Sequence, residues 1–162
     1  TVDRITRPVM DLMQTLPPWV YLIPAVILFS LGRAPAVIAT AVFAIPPALR
    51  LTALGIREVP ADQLEVGKAF GAAPFQVIWK IQIPAAMPSI MAGVNQCIMM
   101  SLAMVVLAGL IGAGGLGGEV VRGLTRMMIG VGVRSGLAIV ILAIIFDRVT
   151  QGMVAKTDPA AS

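Results

Sequence analysis

The 162-residue chain contains no histidine, a single cysteine and few charges; 12% of residues are Asp, Glu, Lys or Arg and 5% are aromatic. With no His, and Cys97 alone in an apolar run, an intrachain disulfide and a His/Cys metal cluster are both excluded. One thiol does not report the redox compartment. No GxxxxGK[ST] stretch is present, so the chain has no P-loop of its own for hydrolysing ATP. Neither a Ser-centred elbow nor clustered carboxylates point to catalysis. The scarcity of charge accompanies 58% hydrophobic residues, whereas a soluble domain is nearer half apolar and a quarter charged. A single domain of this length has no core large enough for that surplus. The excess must face lipid, which excludes an ordinary cytoplasmic enzyme.

Gaps between charges mark candidate spans. Residues 12–32, 34–49, 81–118 and 135–146 carry none, and a helix needs about 20 mainly apolar residues to cross a bilayer. Four spans are expected, near Pro18–Leu31, Pro35–Leu54, Pro88–Ile111 and Val133–Thr150. Arg134 is close enough to the end of the last to snorkel to the interface. Gly32–Ala34 leaves room only for a tight turn between antiparallel spans. Pro24, Pro46 and Pro47 favour kinks, which membrane helices tolerate where neighbours or water satisfy the freed carbonyls. The chain starts at Thr1 and has no signal-peptide pattern. It reads as the C-terminal part of a longer membrane protein.

Between the second and third spans the composition changes. The segment IREVPADQLEVGKAFGAAPFQVIWKIQIP (56–84) carries Arg57, Glu58, Asp62, Glu65, Lys68 and Lys80. It reads as two short amphipathic helices. The first starts after Pro60, with Asp62 suiting the positive end of the helix dipole, and stops around Gly71. The second starts near Pro74 and runs towards Pro84, with Phe75, Ile78 and Trp79 at helical spacing. Placing this loop in the cytoplasm puts eight basic residues inside (Arg4, Arg7, Arg50, Arg57, Lys68, Lys80, Arg148, Lys156) and four outside (Arg33, Arg122, Arg126, Arg134). That bias follows the positive-inside rule. The bases are spread along the chain with few aromatics between them, which argues against a nucleic-acid partner.

The loop resembles the pattern E-A-A, three residues, G, nine residues, I-x-L-P of the membrane subunits of bacterial ATP-binding cassette (ABC) importers. Here it stands as Glu65-Val66-Gly67, Gly71 and Ile81-Gln82-Ile83-Pro84. Val66 and Gly67 replace the two alanines, and Ile83 replaces leucine. Small residues (Gly67, Ala69, Gly71, Ala72, Ala73) allow close approach of a partner; Phe70 suits an apolar anchor, with Glu65 and Lys68 as rim charges. Pro84 is expected to end the knob and start the next span. The bland alternative is an amphipathic loop lying on the membrane. The stretches MQTLPPWVYLIP, IPPALRLTALGIREVPAD, AMPSIMAGVNQCIMMSLAMVV and GAGGLGGEVVRGL further resemble the permeases of glycine betaine, proline and choline importers.

The resemblance implies an all-α integral membrane protein: a multi-span helical bundle of the ABC importer permease, methionine-permease-like type, with about four spans here. It implies a transmembrane domain over 1–154, incomplete at its N-terminus, a coupling loop at 56–84 and a cytoplasmic tail at 155–162. The coupling residues would be Glu65, Gly67, Lys68, Ala69, Phe70, Gly71, Ala72, Pro74, Ile81 and Pro84, docking on a separate ATPase subunit that binds ATP and Mg; this chain would need no cofactor. A second permease copy, an extracytoplasmic substrate-binding protein and the inner (plasma) membrane complete the expected setting. The quaternary ammonium would be recognised chiefly elsewhere, in an aromatic cage; the aromatics here are too scattered to form one. The same architecture serving methionine or phosphonate, and a channel or structural subunit needing no ATPase, are the alternatives.

Weaker signals have bland readings too. Gly112, Gly114 and Gly117 match GxGxxG but follow a span instead of a strand, so a nucleotide site is rejected. The glycines are expected to let the backbone turn and pack closely on the outer side, where the binding protein would dock. Glu119, Arg122 and Arg126 share a polar face that either meets that protein or is merely solvated. Asn95, Gln96 and Ser101 in the third span either hydrogen-bond between helices or line the translocation path. The ten methionines read as gap-filling core.

Overall fold

The computed structural model describes residues 2–157, with side chains from 8 to 152. All regular structure among them is helical: α1 (Val2–Thr15), α2 (Trp19–Phe29), α3 (Arg33–Arg57), α4 (Ala61–Ala69), α5 (Pro74–Val77), a π turn (Ile78–Gln82), α6 (Ile83–Leu110), α7 (Gly115–Thr125) and α8 (Ile129–Thr157). Three segments are long and apolar enough to cross a membrane: Arg33–Arg57, Pro74–Leu110 and Ile129–Gly152. A fourth exists if the bent pair α1/α2 is counted as one.

The first expected span needs correction. Residues 12–32 lack charge, but α2 has only 11 residues, about 16 Å of helix against a hydrocarbon core of about 30 Å. Pro17 and Pro18 end α1, and the segments on either side meet at 88°. The elbow is held by side chains. Tyr21 donates from its hydroxyl to the Met13 carbonyl at 2.5 Å, and Arg50 on α3 donates to Asp11 at 2.9 Å and to Gln14 at 3.1 Å. The turn expected at 32–34 lies slightly earlier, at 30–32, because Arg33 and Ala34 already belong to α3. Ser30 (φ 62°) and Gly32 (φ 137°) reverse the chain before α3, and α3 then runs unbroken through Pro46 and Pro47.

Packing uses small residues, as membrane helices require when lipid is as apolar as the side chains. The core joins Leu22 and Ala25 of α2, Ala36 and Ala39 of α3, and Met104 and Ala108 of α6. Met104 is fully buried, the gap-filling role expected of the methionines, whereas Met99, Met127 and Met128 are exposed and fill no core. Helices α3 and α6 cross where Gly55 faces Ser89 and where Gly93 faces Ala48 and Leu51. The far end of α6 is tighter. A Cβ on Gly109 would lie 2.4 Å from the Gly117 carbonyl carbon, and one on Gly117 would lie 1.9 Å from the Val105 oxygen. Gly123 and Gly132 bring α7 and α8 together in the same way, 2.4 Å from a Gly123 Cβ to the Gly132 nitrogen. The close packing expected of the glycine-rich segment is therefore a chain of backbone contacts from α6 through α7 to α8.

Candidate functional site

The knob between α3 and α6 is built by its punctuation. Pro60 fixes the entry to α4, whose first turn carries Asp62. The helix stops in a Schellman motif: Ala72 N–H donates to the Gly67 carbonyl at 3.0 Å and Gly71 N–H to the Lys68 carbonyl at 2.9 Å. The motif needs a left-handed residue, and Gly71 supplies it with φ +74°. Pro74 then opens α5, where the Gln76 side chain accepts the Ala73 N–H at 3.0 Å.

The motif positions divide into an inner and an outer set. Gly67 is buried, and a Cβ there would lie 2.3 Å from Cδ1 of Ile81, with Val77 just beyond. The knob closes by seating Ile81 over Gly67, which explains the small residue at that place and the branched one fourteen positions later. Ala72 is half-buried beside them. Glu65, Lys68, Ala69 and Pro74 face outward, and Phe70 is 87% exposed. Phe75 and Trp79 add a tilted ring pair at 5.9 Å, both largely exposed. Together with Val66 and Ile78, these side chains make a strongly apolar, charge-rimmed protrusion, the kind of surface that meets another protein.

The far boundary of the knob differs from expectation. Pro84 does not end a separate second helix. Five residues of π turn, closed by Ile83 N–H on the Ile78 carbonyl, carry α5 directly into α6, and Pro84, which has no N–H to give the preceding turn, follows immediately after that expansion. Pro74–Leu110 is thus one rod of 37 residues, about 55 Å long. An expansion of this kind shifts the apolar stripe by about 100°, but the turn spans only Ile78–Gln82, too short a stretch for that shift to be read from hydrophobic spacing.

The three polar residues expected to bond between helices or line the path part company. Asn95 donates to Asp147 Oδ1 on α8 at 2.8 Å, and its own oxygen accepts the Thr150 hydroxyl at 2.8 Å. Gln151 donates to the other Asp147 oxygen at 2.7 Å. Ser101 turns back on its own helix, donating to the Cys97 carbonyl at 2.8 Å, and Gln96 is exposed. Asp147 was missed by the sequence reading, although an acid so close to a long apolar run is a signal in itself. At the other end of α6, Gly112 (φ 82°) and Gly114 (φ 78°) form the turn into α7, and Gly117 lies within α7 against α6. There Glu119 is hydrogen-bonded to Arg122, while Arg126 caps α7 and stays exposed.

The sequence profile described as "Binding-protein-dependent transport system inner membrane component" matches residues 1–161. The chain belongs to this family. Among its relatives, the glycine betaine transport system permease protein OpuAB of Bacillus subtilis is 51% identical over 156 residues, covering 96% of this chain and 55% of that protein. The glycine betaine/proline betaine transport system permease protein ProW of Escherichia coli is 53% identical over 150 residues, covering 93% and 42%. The chain therefore spans about half the length of these curated relatives. The choline transport system permease protein OpuBB of Bacillus subtilis is 33% identical, covering 94% of this chain and 70% of that protein. An inward-facing structure of the MetNI methionine ABC transporter superposes with a TM-score of 0.83 at 22% identity, covering 98% of this chain and 76% of the matched chain. The bundle thus has the ABC importer permease fold, and the chain is an inner-membrane transport component.

Proposed function

We propose that the chain is the membrane-spanning part of a permease subunit that imports a quaternary ammonium osmoprotectant (glycine betaine, proline betaine or choline) by alternating access. The observation that carries this reading is identity of 51–53% over nearly the whole chain to permeases named for glycine betaine and proline betaine. The methionine transporter shares the fold at 22% identity and gives no reason to prefer methionine. The aromatics lie apart, apart from the Phe75–Trp79 and Tyr21–Phe43 pairs, which suits a conduit whose solute is selected by a separate binding protein.

On this reading the knob is cytoplasmic and docks on an ATPase subunit that alone binds ATP and Mg; a second permease copy completes the path, and this chain performs no catalysis. Phe70 serves as the anchor, Glu65 and Lys68 as the rim, and the Gly67–Ile81 contact stiffens the base. Glu65→Lys should weaken co-purification of the ATPase subunit by roughly tenfold, the effect of about 1.4 kcal/mol at an interface. Undiminished co-purification would remove Glu65 from the docking surface. The function itself is tested by growth. The full-length gene, with its ATPase and binding protein, should restore growth at high salt with added glycine betaine to cells lacking their own osmoprotectant importers. Assembly of the complex without rescue by glycine betaine, proline betaine or choline would discard the solute class and retain the family.

A further inference from the structure

Helix α8 is fastened to the rest of the bundle in two different ways at its two ends. Away from the knob, α7 straps it to α6 through the backbone contacts at Gly109/Gly117 and Gly123/Gly132. Towards the knob no loop joins α6 to α8, and α8 exposes Leu137, Val140, Ile141, Ile144, Ile145 and Val149. Apolar side chains on such a surface add little to register, because lipid tails are as apolar as they are. What does set register there is polar. Asn95 on α6 stands between the Asp147 carboxylate and the Thr150 hydroxyl on α8, both at 2.8 Å. Thr150 is 6% exposed, and Gln151 fixes the second carboxylate oxygen at 2.7 Å. A single amide thus spends its donor and its acceptor on two successive turns of the facing helix, which opposes both sliding and rotation.

The other half of the geometry lies in α6 itself. It is continuous with α5 through the π turn, so the rod that carries Asn95 begins inside the knob at Pro74. Any displacement imposed on the knob reaches Asn95 along one helix, without crossing a loop.

We propose that Asn95, Asp147 and Thr150 form a joint that makes α8 follow α6 when the knob is moved, and that Asp147 is a positioning residue for transport. This rests on the reading of the knob as the ATPase-docking element. The joint turns α6, α7 and α8 into one body with two points of attachment. Breaking it leaves the knob-side end of α8 held to α6 by side-chain packing without a polar lock, so that ATP-driven movement of α6 is passed on less faithfully.

The test uses the full-length permease with its ATPase and binding protein in proteoliposomes. In a Cys97→Ser background, spin labels are placed at the exposed positions Ala92 on α6 and Val149 on α8. Their separation should be the same with and without ATP in the otherwise native protein, and should shift or broaden on ATP in Asp147→Ala and in the milder Thr150→Val. Solute accumulated per ATP hydrolysed should fall roughly two- to thirtyfold in these variants, the range over which single residues modulate coupling, while hydrolysis continues. Asn95→Asp combined with Asp147→Asn preserves every hydrogen bond with the partners exchanged and should restore the ratio. An α6–α8 separation that changes with ATP in the native protein overturns the joint, as does an unchanged ratio in assembled Asp147→Ala and Thr150→Val. Loss of hydrolysis and uptake in equal proportion also overturns it, leaving a merely structural contact. Failure of the native complex to bind its ATPase at the knob, or to accumulate glycine betaine, would count against the proposed function instead; the spin-label separation reads the joint without reference to the solute.

Discussion

Gly117→Ala should lower the apparent Tm of the detergent-solubilised permease by on the order of 10 °C, and Gly118→Ala, one residue along, should leave it the same or raise it by a few degrees. The reasoning is steric. A methyl group on Gly117 would lie 1.9 Å from the Val105 carbonyl oxygen and 2.7 Å from its carbon, both of them backbone. No rotamer change relieves that overlap, so α7 must lift from α6, and the Gly109–Gly117 contact opens with it. Overpacking of this severity costs roughly 3 kcal/mol, which for a chain of this size corresponds to the stated shift. Gly118 has nothing within 4 Å of its would-be Cβ, and alanine is the better helix former. The pair separates crowding from helix propensity. Equal Tm values for the two variants would show that α7 does not pack on α6 through Gly117.

Gly71→Val should abolish uptake while leaving the amount of permease in the membrane close to normal. Here the cause is conformational, since no atom lies within 4 Å of the position. At φ +74° a β-branched residue costs about 1–2 kcal/mol or more. The Schellman bonds at Ala72 and Gly71 would open to avoid it. Ala72 and Phe70 then lose their placement relative to α5, and the docking surface with them. The spans are untouched, because the knob contacts the bundle through the π turn and the end of α3. Membrane levels measured by quantitative blotting and uptake of labelled solute in the same cells check both halves. Normal uptake by Gly71→Val at normal abundance would detach the knob from transport.

Much of this architecture was legible in the sequence, and the reasons differ by element. The knob was bounded by residues whose backbone chemistry is nearly deterministic: Pro60 and Pro74 at helix starts and Gly71 at a stop, all found where expected. The spans over α3, α6 and α8 were visible because charge is costly in lipid and its absence leaves long gaps. The same signal misled at residues 12–32. Lack of charge does not distinguish one straight span from an elbow: the expected start at Pro18 holds, but the helix that follows has only 11 residues, too few to cross alone.

The end of α7 was hidden for a different reason. Met127 adopts φ 54° and completes the same kind of stop as Gly71, with Met128 N–H on the Gly123 carbonyl at 2.8 Å. A methionine there gives no warning in sequence. Asn95 was singled out correctly as polar and in a span, but only tertiary structure could supply Asp147 and Thr150, more than fifty residues away. The spacing of the knob motif hid the π turn as well, because the count of residues from Glu65 to Pro84 is the same whether the helix is broken or expanded.

The central claim is that this bundle moves a quaternary ammonium solute only when a partner hydrolyses ATP. It is tested most directly by energised uptake of labelled glycine betaine and choline in cells lacking their own osmoprotectant systems, using the full-length gene with its ATPase and binding protein. Saturable accumulation that disappears when the ATPase partner is made catalytically dead is the expected result. Solute entry that persists with the dead partner would contradict the claim, and entry only down the solute's gradient would leave a channel in its place.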